Sequence, residues 1–583
     1  MRVSSILRRA VAQTPPEAQG SAVSPYDRFG RRRRLCEPPK NRGRFLIALG
    51  LFFGVYGVIG GRLVEWGMAP EETASYYGVH DQIMAARPDI VDRNGQVLAT
   101  DIKTASLFAE PRRIIDPDEA SELLLSVLPE MDPKWLYKRL SSKAGFTWLR
   151  RELTPGQQQQ ILDLGIPGIG FRTEKRRFYP GGNTASFIVG HVNVDNQGTA
   201  GMEKYIDDND GYLALQKAGL AVSADLKPVK LSLDLRVQHI VRDEIEAAMT
   251  RYDAKAAGGV ILDVNTGEVL AMSSVPDYDP NDPAQALDKD RLNRMSAGLF
   301  EMGSTFKTFT TAMALDSGKV KLSDSFDATK PLHIGGFTIH DFHAKRRMLS
   351  VPEVFIYSSN VGSAHEAMAV GIPGHQAFLT KLGLLSRMQT ELPEVATPTQ
   401  PKEWKLINSM TIAFGHGVST TPLQTAVAAA ALMNGGRLIE PTFLPRTEEE
   451  ADKVAQQVVS KQTSDEMRYL FRLNVADQRG SGNRADVPGY KVGGKTGTAN
   501  KVVNGRYSDT KKFNAFLAAF PTDHPRYVVL VVIDEPHPEK GQHYATAGMN
   551  AAPTVGNIIR RTAALLGVKP DFGEDGKQLL VSY

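Results

Sequence analysis

The 583-residue chain predicts an α+β fold. Strand-length apolar runs separated by turn residues stand near residue 260 and again near residue 520. Helical periodicity occupies much of the stretch between them. Strands at both ends of a segment with helices between them imply an antiparallel sheet carrying a mostly helical insert. The chain is also too long for one core, so two or more folded domains are expected.

The first element is a basic tail. Residues 1–44 hold eleven Lys/Arg against Glu17, Asp27 and Glu37, a charge of +8, which leaves the rest near −4. Arg31–Arg34 and then Lys40, Arg42 and Arg44 lead directly into seventeen uncharged residues, 45–61. A helix of that length spans ~25 Å, and extension through Val64 with Arg62 snorkelling reaches the ~30 Å of a bilayer core. The long basic leader and the lack of a small-x-small site argue against a cleaved signal peptide. Positive-inside bias assigns 1–44 to the cytoplasm and everything beyond about residue 65 to the outside. The tetra-arginine run beside such a span reads as a topological signal, not as nucleic-acid binding. Cys36 is the single cysteine, so the exported part has no disulfide framework.

Arg87–Leu98 reads as strand, Asn-Gly turn, strand, on physical grounds a hairpin and nothing more. Residues 116–165 read as polar helices (118–128, 157–164). Asp234 can cap a helix with Val237, Ile240, Val241, Ile245 and Ala248 at helical spacing. Segments 259–264 and 268–272 flank Asn265-Thr266-Gly267 as a hairpin, 513–520 and 527–533 form a second, and Val555–Leu566 closes as a helix. Residues 387–404 form a proline-bearing loop, and 445–465 are charged with no chemistry assigned.

Three short motifs follow one another in order: Ser304-Thr305-Phe306-Lys307, Ser358-Ser359-Asn360 and Lys495-Thr496-Gly497-Thr498. Together they supply a nucleophile, a base one helical turn away, a proton relay and an anion-binding strand. S-x-x-K should arise about two or three times by chance in such a chain, and a second copy, Ser508-x-x-Lys511, exists. S-x-N also recurs at Ser481-x-Asn483, whereas K-T-G occurs once. The decoy Ser508 follows K-T-G, so only Ser304, Ser358 and Lys495 combine in this order.

The ordered set resembles the S-x-x-K, S-D-N and K-T-G signature of penicillin-binding proteins and class A β-lactamases. The chain resembles most closely the class B penicillin-binding proteins of the cell-division (FtsI-type) group, peptidoglycan D,D-transpeptidases. Residues 87–95 resemble the family's R-G-x-I-x-D-R-N-G box, with Pro88 for the glycine. Arg177–Gly181 to Gly190–Asn193, and Gly198–Lys204, resemble two further N-terminal boxes. The resemblance implies that these boxes knit a pedestal to the catalytic domain, with Arg87, Arg177 and Glu203 as partners. It also implies the penicillin-binding transpeptidase fold, a five-stranded antiparallel sheet sandwiched by helices with a helical subdomain. One transmembrane helix and an elongated pedestal precede it. The expected domains are a cytoplasmic tail 1–44, a transmembrane helix 45–64, a pedestal of dimerisation type 65–227, a catalytic domain 228–570 and a tail 571–583.

A serine hydroxyl needs an adjacent base. Lys307 lies one turn from Ser304 on the same helix face, and as a base it must be neutral. Repulsion from Lys495 would lower its pKa, and burial would lower it further. The resemblance gives Ser358 as relay and Asn360 as positioner of Lys307 and substrate. Thr496 and Thr498 would donate to the terminal carboxylate, Gly497 would let the substrate backbone approach, and Lys495 would supply positive potential. The backbone N–H groups of Ser304 and Thr498 are the candidate oxyanion hole. Ser359 in place of the Asp of S-D-N, with no glutamate recognisable as a deacylating base, opposes a β-lactamase. No cofactor or metal is called for; the His340-Asp341-Phe342-His343 run with His333 is too sparse a pattern for a metal site. Gly415-His416-Gly417 follows no dinucleotide fingerprint and resembles a family segment that shapes the cleft.

The expected function is cross-linking of peptidoglycan stem peptides during septal wall synthesis, in the inner membrane with the catalytic domain periplasmic. Ser304 would carry the acyl group and be the target of β-lactams. Partners implied are the lipid-linked precursor polymer, a SEDS-type glycosyltransferase and other division proteins, with no nucleic acid. Alternatives are an elongation-type class B transpeptidase and a non-enzymatic penicillin-binding sensor or division scaffold. The 534–553 segment favours the division type.

Overall fold

The computed structural model describes residue 50 and residues 52–60, 87–209, 226–503 and 505–572. Residues 1–81 and 82–583 form separate units. In the first, residues 52–60 are helical, with Phe53 and Val58 exposed. Among the described residues no helix is long and apolar enough to cross a membrane. The expected span 45–64 lies partly, and the tail 1–44 wholly, outside the described residues.

The second unit begins with a mixed sheet. Strand β1 (Ile90–Val91) turns at Gly95, φ +85°, into β2 (Val97–Ala109). The turn is closed by Asp92 Oδ1, which accepts from the backbone N–H groups of Asn94 and Gln96, both at 2.8 Å. Helices α1 (Pro117–Val127) and α2 (Pro133–Leu140) follow, then β3 (Thr147–Leu153), α3 (Pro155–Asp163) and β4 (Ile169–Phe178). Each helix starts at an Asp or Thr N-cap followed by Pro, the preferred pairing. Leu124, Leu136 and Leu140 bury against Leu107 and Leu149. β3 and β4 pair antiparallel with β2, and after α4 (Gly201–Asn209) the short β5 (Val229–Lys230) pairs parallel with β1.

Arg87, Arg177 and Glu203 do meet, but within this N-terminal region. Arg87 Nε and Arg177 Nε donate to the two Glu203 oxygens at 2.8 and 2.6 Å, all three side chains fully buried. Asp207 and Asp101 complete the cluster. The three expected partners therefore do pair, in one buried cluster of the boxes themselves. The junction with the catalytic domain is made by the hairpin, where Asp92 Oδ2 accepts from Leu235 N–H at 3.0 Å and Arg93 N–H donates to Leu233 O at 2.8 Å. It is made also by the two later boxes, where Tyr179 N–H donates to Asn281 Oδ1 at 3.0 Å and Gly201 N–H to Glu394 Oε1 at 3.2 Å.

Leu235 opens α5 (Leu235–Arg251), capped by Asp234 as expected. β6 (Ala256–Asp263) and β7 (Val269–Val275) follow, and after a long helical insert come β8 (Gly493–Val503), β9 (Arg506–Phe520) and β10 (Tyr527–Asp534). Their order is β8-β9-β10-β6-β7, antiparallel throughout. In β10, Val529, Val531 and Ile533 pack with Val237 and Val241 of α5 and with Ile558 and Ile559 of the closing helix (Ala551–Thr562). Val528, Leu530 and Val532 belong instead to the core of Phe306, Phe309, Leu423 and Phe471. Cover on both faces is why these strands read as unbroken apolar runs and not as alternating ones. β8 remains an edge strand, and the insert is placed against that edge.

Candidate active site

The nucleophile sits on a tight turn. Gly303–Phe306 forms a single 3-10 turn that passes into α6 (Lys307–Asp316). Gly303 has φ +54°, and a Cβ there would lie 3.1 Å from Thr498 C and O. Ser304 is thereby held against β8. Three helix residues, Thr308, Thr310 and Thr311, are β-branched and only fair helix formers, yet buried contacts hold them: Thr310 Oγ1 donates to Ala413 O at 2.8 Å.

Lys307 is 1 % exposed, and its Nζ is the hub of the site. It lies 2.7 Å from Ser304 Oγ, 2.7 Å from Asn360 Oδ1, 2.9 Å from Ser358 O and 3.1 Å from Ser358 Oγ. Ser358 stands between α7 (Val351–Ile356) and α8 (Asn360–Val370) at φ +58°. A non-glycine residue in that left-handed region is uncommon and concentrates at functional sites. Its Oγ accepts a second bond from Lys495 Nζ, at 2.9 Å. Ser304, Lys307, Ser358, Asn360 and Lys495 are thus one connected group, assembled from three segments more than fifty residues apart.

Burial lowers Lys307 from the ordinary lysine range to about 7, against the opposing pull of the Asp341 and Glu366 carboxylates. Lys495 falls well below its ordinary value, first by burial and then by repulsion from Lys307. Burial is thus the larger cause for both lysines, and the repulsion between them acts on the pair.

Thr496 Oγ1 shares a hydrogen bond with Ser481 Oγ at 2.7 Å, and Thr498 Oγ1 accepts from Ala547 N–H at 3.1 Å. The apparent second S-x-N copy therefore flanks the edge strand without reaching Lys307. Gly497 is also fitted to the protein itself. A Cβ there would lie 2.4 Å from Met302 O and 2.8 Å from Thr305 Cγ2, so the protein's own nucleophile turn requires the glycine. The decoy Ser508 is on β9 beside Thr510 (3.2 Å), while Lys511 pairs with Glu535 at 3.2 Å.

Sequence reasoning did not identify several residues at this site. Glu366, fully buried, accepts from Thr311 Oγ1 at 3.1 Å and is pushed up to about 8 by burial. Glu301, just before the nucleophile turn, accepts from Gly417 N–H at 2.8 Å and from Tyr507 OH at 3.1 Å. Asp341 accepts from Ser359 Oγ at 2.8 Å. A lone acidic residue in the small-residue run of α8 was the one available signal for Glu366. His333 bonds Thr338 across a short hairpin (3.0 Å), and among the described residues no cluster of three His, Cys, Asp or Glu could hold a metal.

Comparison with known proteins agrees with this geometry. Residues 257–560 match the penicillin-binding protein transpeptidase domain, and residues 82–219 match the penicillin-binding protein dimerisation domain. The chain is 38% identical over 551 residues to the probable peptidoglycan D,D-transpeptidase FtsI of Caulobacter vibrioides, covering 93% of this chain and 92% of that one. It is 34% identical to the probable peptidoglycan D,D-transpeptidase PenA of Neisseria gonorrhoeae, over 83% and 85% of the two chains. It is 30% identical to the peptidoglycan D,D-transpeptidase FtsI of Escherichia coli K12, over 84% and 85%. The chain belongs to the penicillin-binding protein transpeptidase family, in its class B, FtsI-type branch, and is a serine-type D,D-transpeptidase acting on peptidoglycan.

Proposed function

We propose that the chain cross-links stem peptides at the division septum through an acyl-enzyme on Ser304, with Lys307 as general base. The surroundings of Lys307 Nζ carry this reading. A neutral amine offers two N–H groups and one lone pair. Asn360 Oδ1 and Ser358 O can only accept, at 2.7 and 2.9 Å, and take both N–H groups. The lone pair is then left to a hydroxyl, and Ser304 Oγ at 2.7 Å is nearer than Ser358 Oγ at 3.1 Å. A pKa lowered to about 7 makes that neutral form accessible at physiological pH.

Ser304 Oγ attacks the penultimate D-Ala carbonyl while Lys307 takes its proton. The backbone N–H groups of Ser304 and Thr498 receive the oxyanion, a role supported by the contact of Gly303 with Thr498. The bond to the terminal D-Ala breaks, and Ser358 Oγ, hydrogen-bonded to both lysines, passes a proton to the leaving amine and takes in its place the one Lys307 had accepted from Ser304. A neighbouring stem peptide's amine then attacks the ester, losing a proton through Ser358 to Lys307, and Lys307 returns a proton to the departing Ser304 Oγ. Thr496, Thr498 and Lys495 hold the terminal carboxylate, Asn360 the substrate amide, and β-lactams enter by the same attack.

The finer assignments rest on sequence and resemblance. Residues 45–64 anchor the chain once in the inner membrane, 1–44 stay cytoplasmic, and a pedestal (65–227), catalytic domain (228–570) and short tail (571–583) lie in the periplasm. A SEDS-type polymerase supplies glycan. The septal role is favoured over elongation by the FtsI relatives.

Labelling with a fluorescent penicillin tests the nucleophile. Ser304→Ala is expected to lose all label and Ser508→Ala to label normally; the reverse result would refute the site.

A further inference from the structure

The His340–Asp341 dipeptide belongs to none of the three motifs, yet it contacts the second one on both sides. His340 O accepts from Asn360 Nδ2 at 3.0 Å. This fixes the carboxamide orientation, so that Oδ1 is the atom turned to Lys307 Nζ at 2.7 Å. Asp341 Oδ2 accepts from Ser359 Oγ at 2.8 Å, and Oδ1 accepts from the Val361 backbone N–H at 3.0 Å. Ser359 Oγ in turn accepts from Gly362 N–H at 2.9 Å as the N-cap of α8. A carboxylate therefore reaches the helix start from a separate loop, at the motif whose own middle residue is Ser359 and not aspartate.

The position suits that charge. The N-terminus of a helix carries partial positive charge and unpaired N–H groups, both of which favour a carboxylate. Ser358 has φ +58°, an orientation that needs holding by its surroundings. Asp341 braces the next residue, and His340 the one after it.

We propose that His340 and Asp341 form a positioning clamp for acylation: the carbonyl sets the Asn360 amide, and the carboxylate fixes the Ser358 turn and sets the electrostatic environment of Lys307. The clamp rests on the assignment of Lys307 as the base. Four titratable groups act on or adjoin Lys307 from the surrounding elements: Lys495 on β8, Asp341 on this loop, Glu366 on α8 and His416 in the 415–417 segment. Asp341 is the first of the two carboxylates that oppose the lowering of the lysine.

The sign of the effect follows. The lysine must be neutral to take a proton, so acylation rises with pH through its pKa. Removing the Asp341 charge removes a stabiliser of the ammonium form, and the acid limb moves to lower pH.

The test is the second-order rate of acylation by a fluorescent penicillin, followed against pH in the full-length protein. Asp341→Asn is expected to shift the acid limb downward by several tenths of a pH unit or more. Ser359→Ala, which frees one carboxylate oxygen but leaves the charge, is expected to lower the rate about tenfold with the limb in place. A limb unmoved in Asp341→Asn, or moved equally in Ser359→Ala, would overturn the clamp. If Asp341→Asn does not fold, Ser359→Ala decides alone, and a rate within twofold of the parent would overturn it. Absence of any acid limb in the parent protein would instead overturn the base assignment, a different failure.

Discussion

At the scale of single residues, the site works by removing Lys307 from water. Desolvation disfavours the charged form, and Lys307, 1 % exposed, falls to about 7 while two carboxylates resist the change. The ammonium predominates below that value and cannot accept the Ser304 proton; the amine predominates above it and can. Acylation by a β-lactam is therefore expected to rise through pH ~7 and level off above it. A stopped-flow pH series checks this, and a rate that falls through the same interval would contradict it. Lys307→Ala is expected to slow acylation by ~10²–10⁴-fold with the protein still folded.

At the scale of elements, the edge strand β8 and the nucleophile turn are fitted to one another through glycine. A Cβ on Gly497 would meet Met302 O at 2.4 Å, a backbone atom that cannot swing aside. Gly497→Ala is expected to displace Ser304 and reduce acylation at least tenfold, with little change in circular dichroism; labelling at the parental rate would contradict this. Much of this level was legible in the sequence. The strands of both hairpins and the Asp234 cap stood out because continuous apolar runs and capping residues are local signals. The motif residues were legible because their order excluded Ser508 and Ser481. Asp341 and Glu301 were not, since each works through a partner far along the chain and no periodicity links residue 341 to 359 or 301 to 507. The fit of Gly497 against Met302 O could come only from the fold.

At the scale of the whole molecule, the N-terminal region and the catalytic region depend on different kinds of contact. The first is held around a buried carboxylate, Glu203, shared by Arg87 and Arg177. Breaking such a cluster leaves two buried guanidiniums without their shared partner, a loss of about 3–5 kcal/mol. Glu203→Ala is expected to raise hydrogen exchange across residues 87–209 while β6, β9 and β10 stay protected; unchanged exchange in the N-terminal region would contradict the cluster's role. The catalytic region is built on a sheet covered on both faces, and its chemistry converges on a single hydroxyl. The most direct measurement is mass spectrometry of the intact protein after exposure to benzylpenicillin, followed by peptide mapping. One adduct per chain, carried by Ser304 in the peptide ending at Lys307, is the expected result. An adduct on Ser508, Ser481 or Ser358 in place of Ser304 would contradict it.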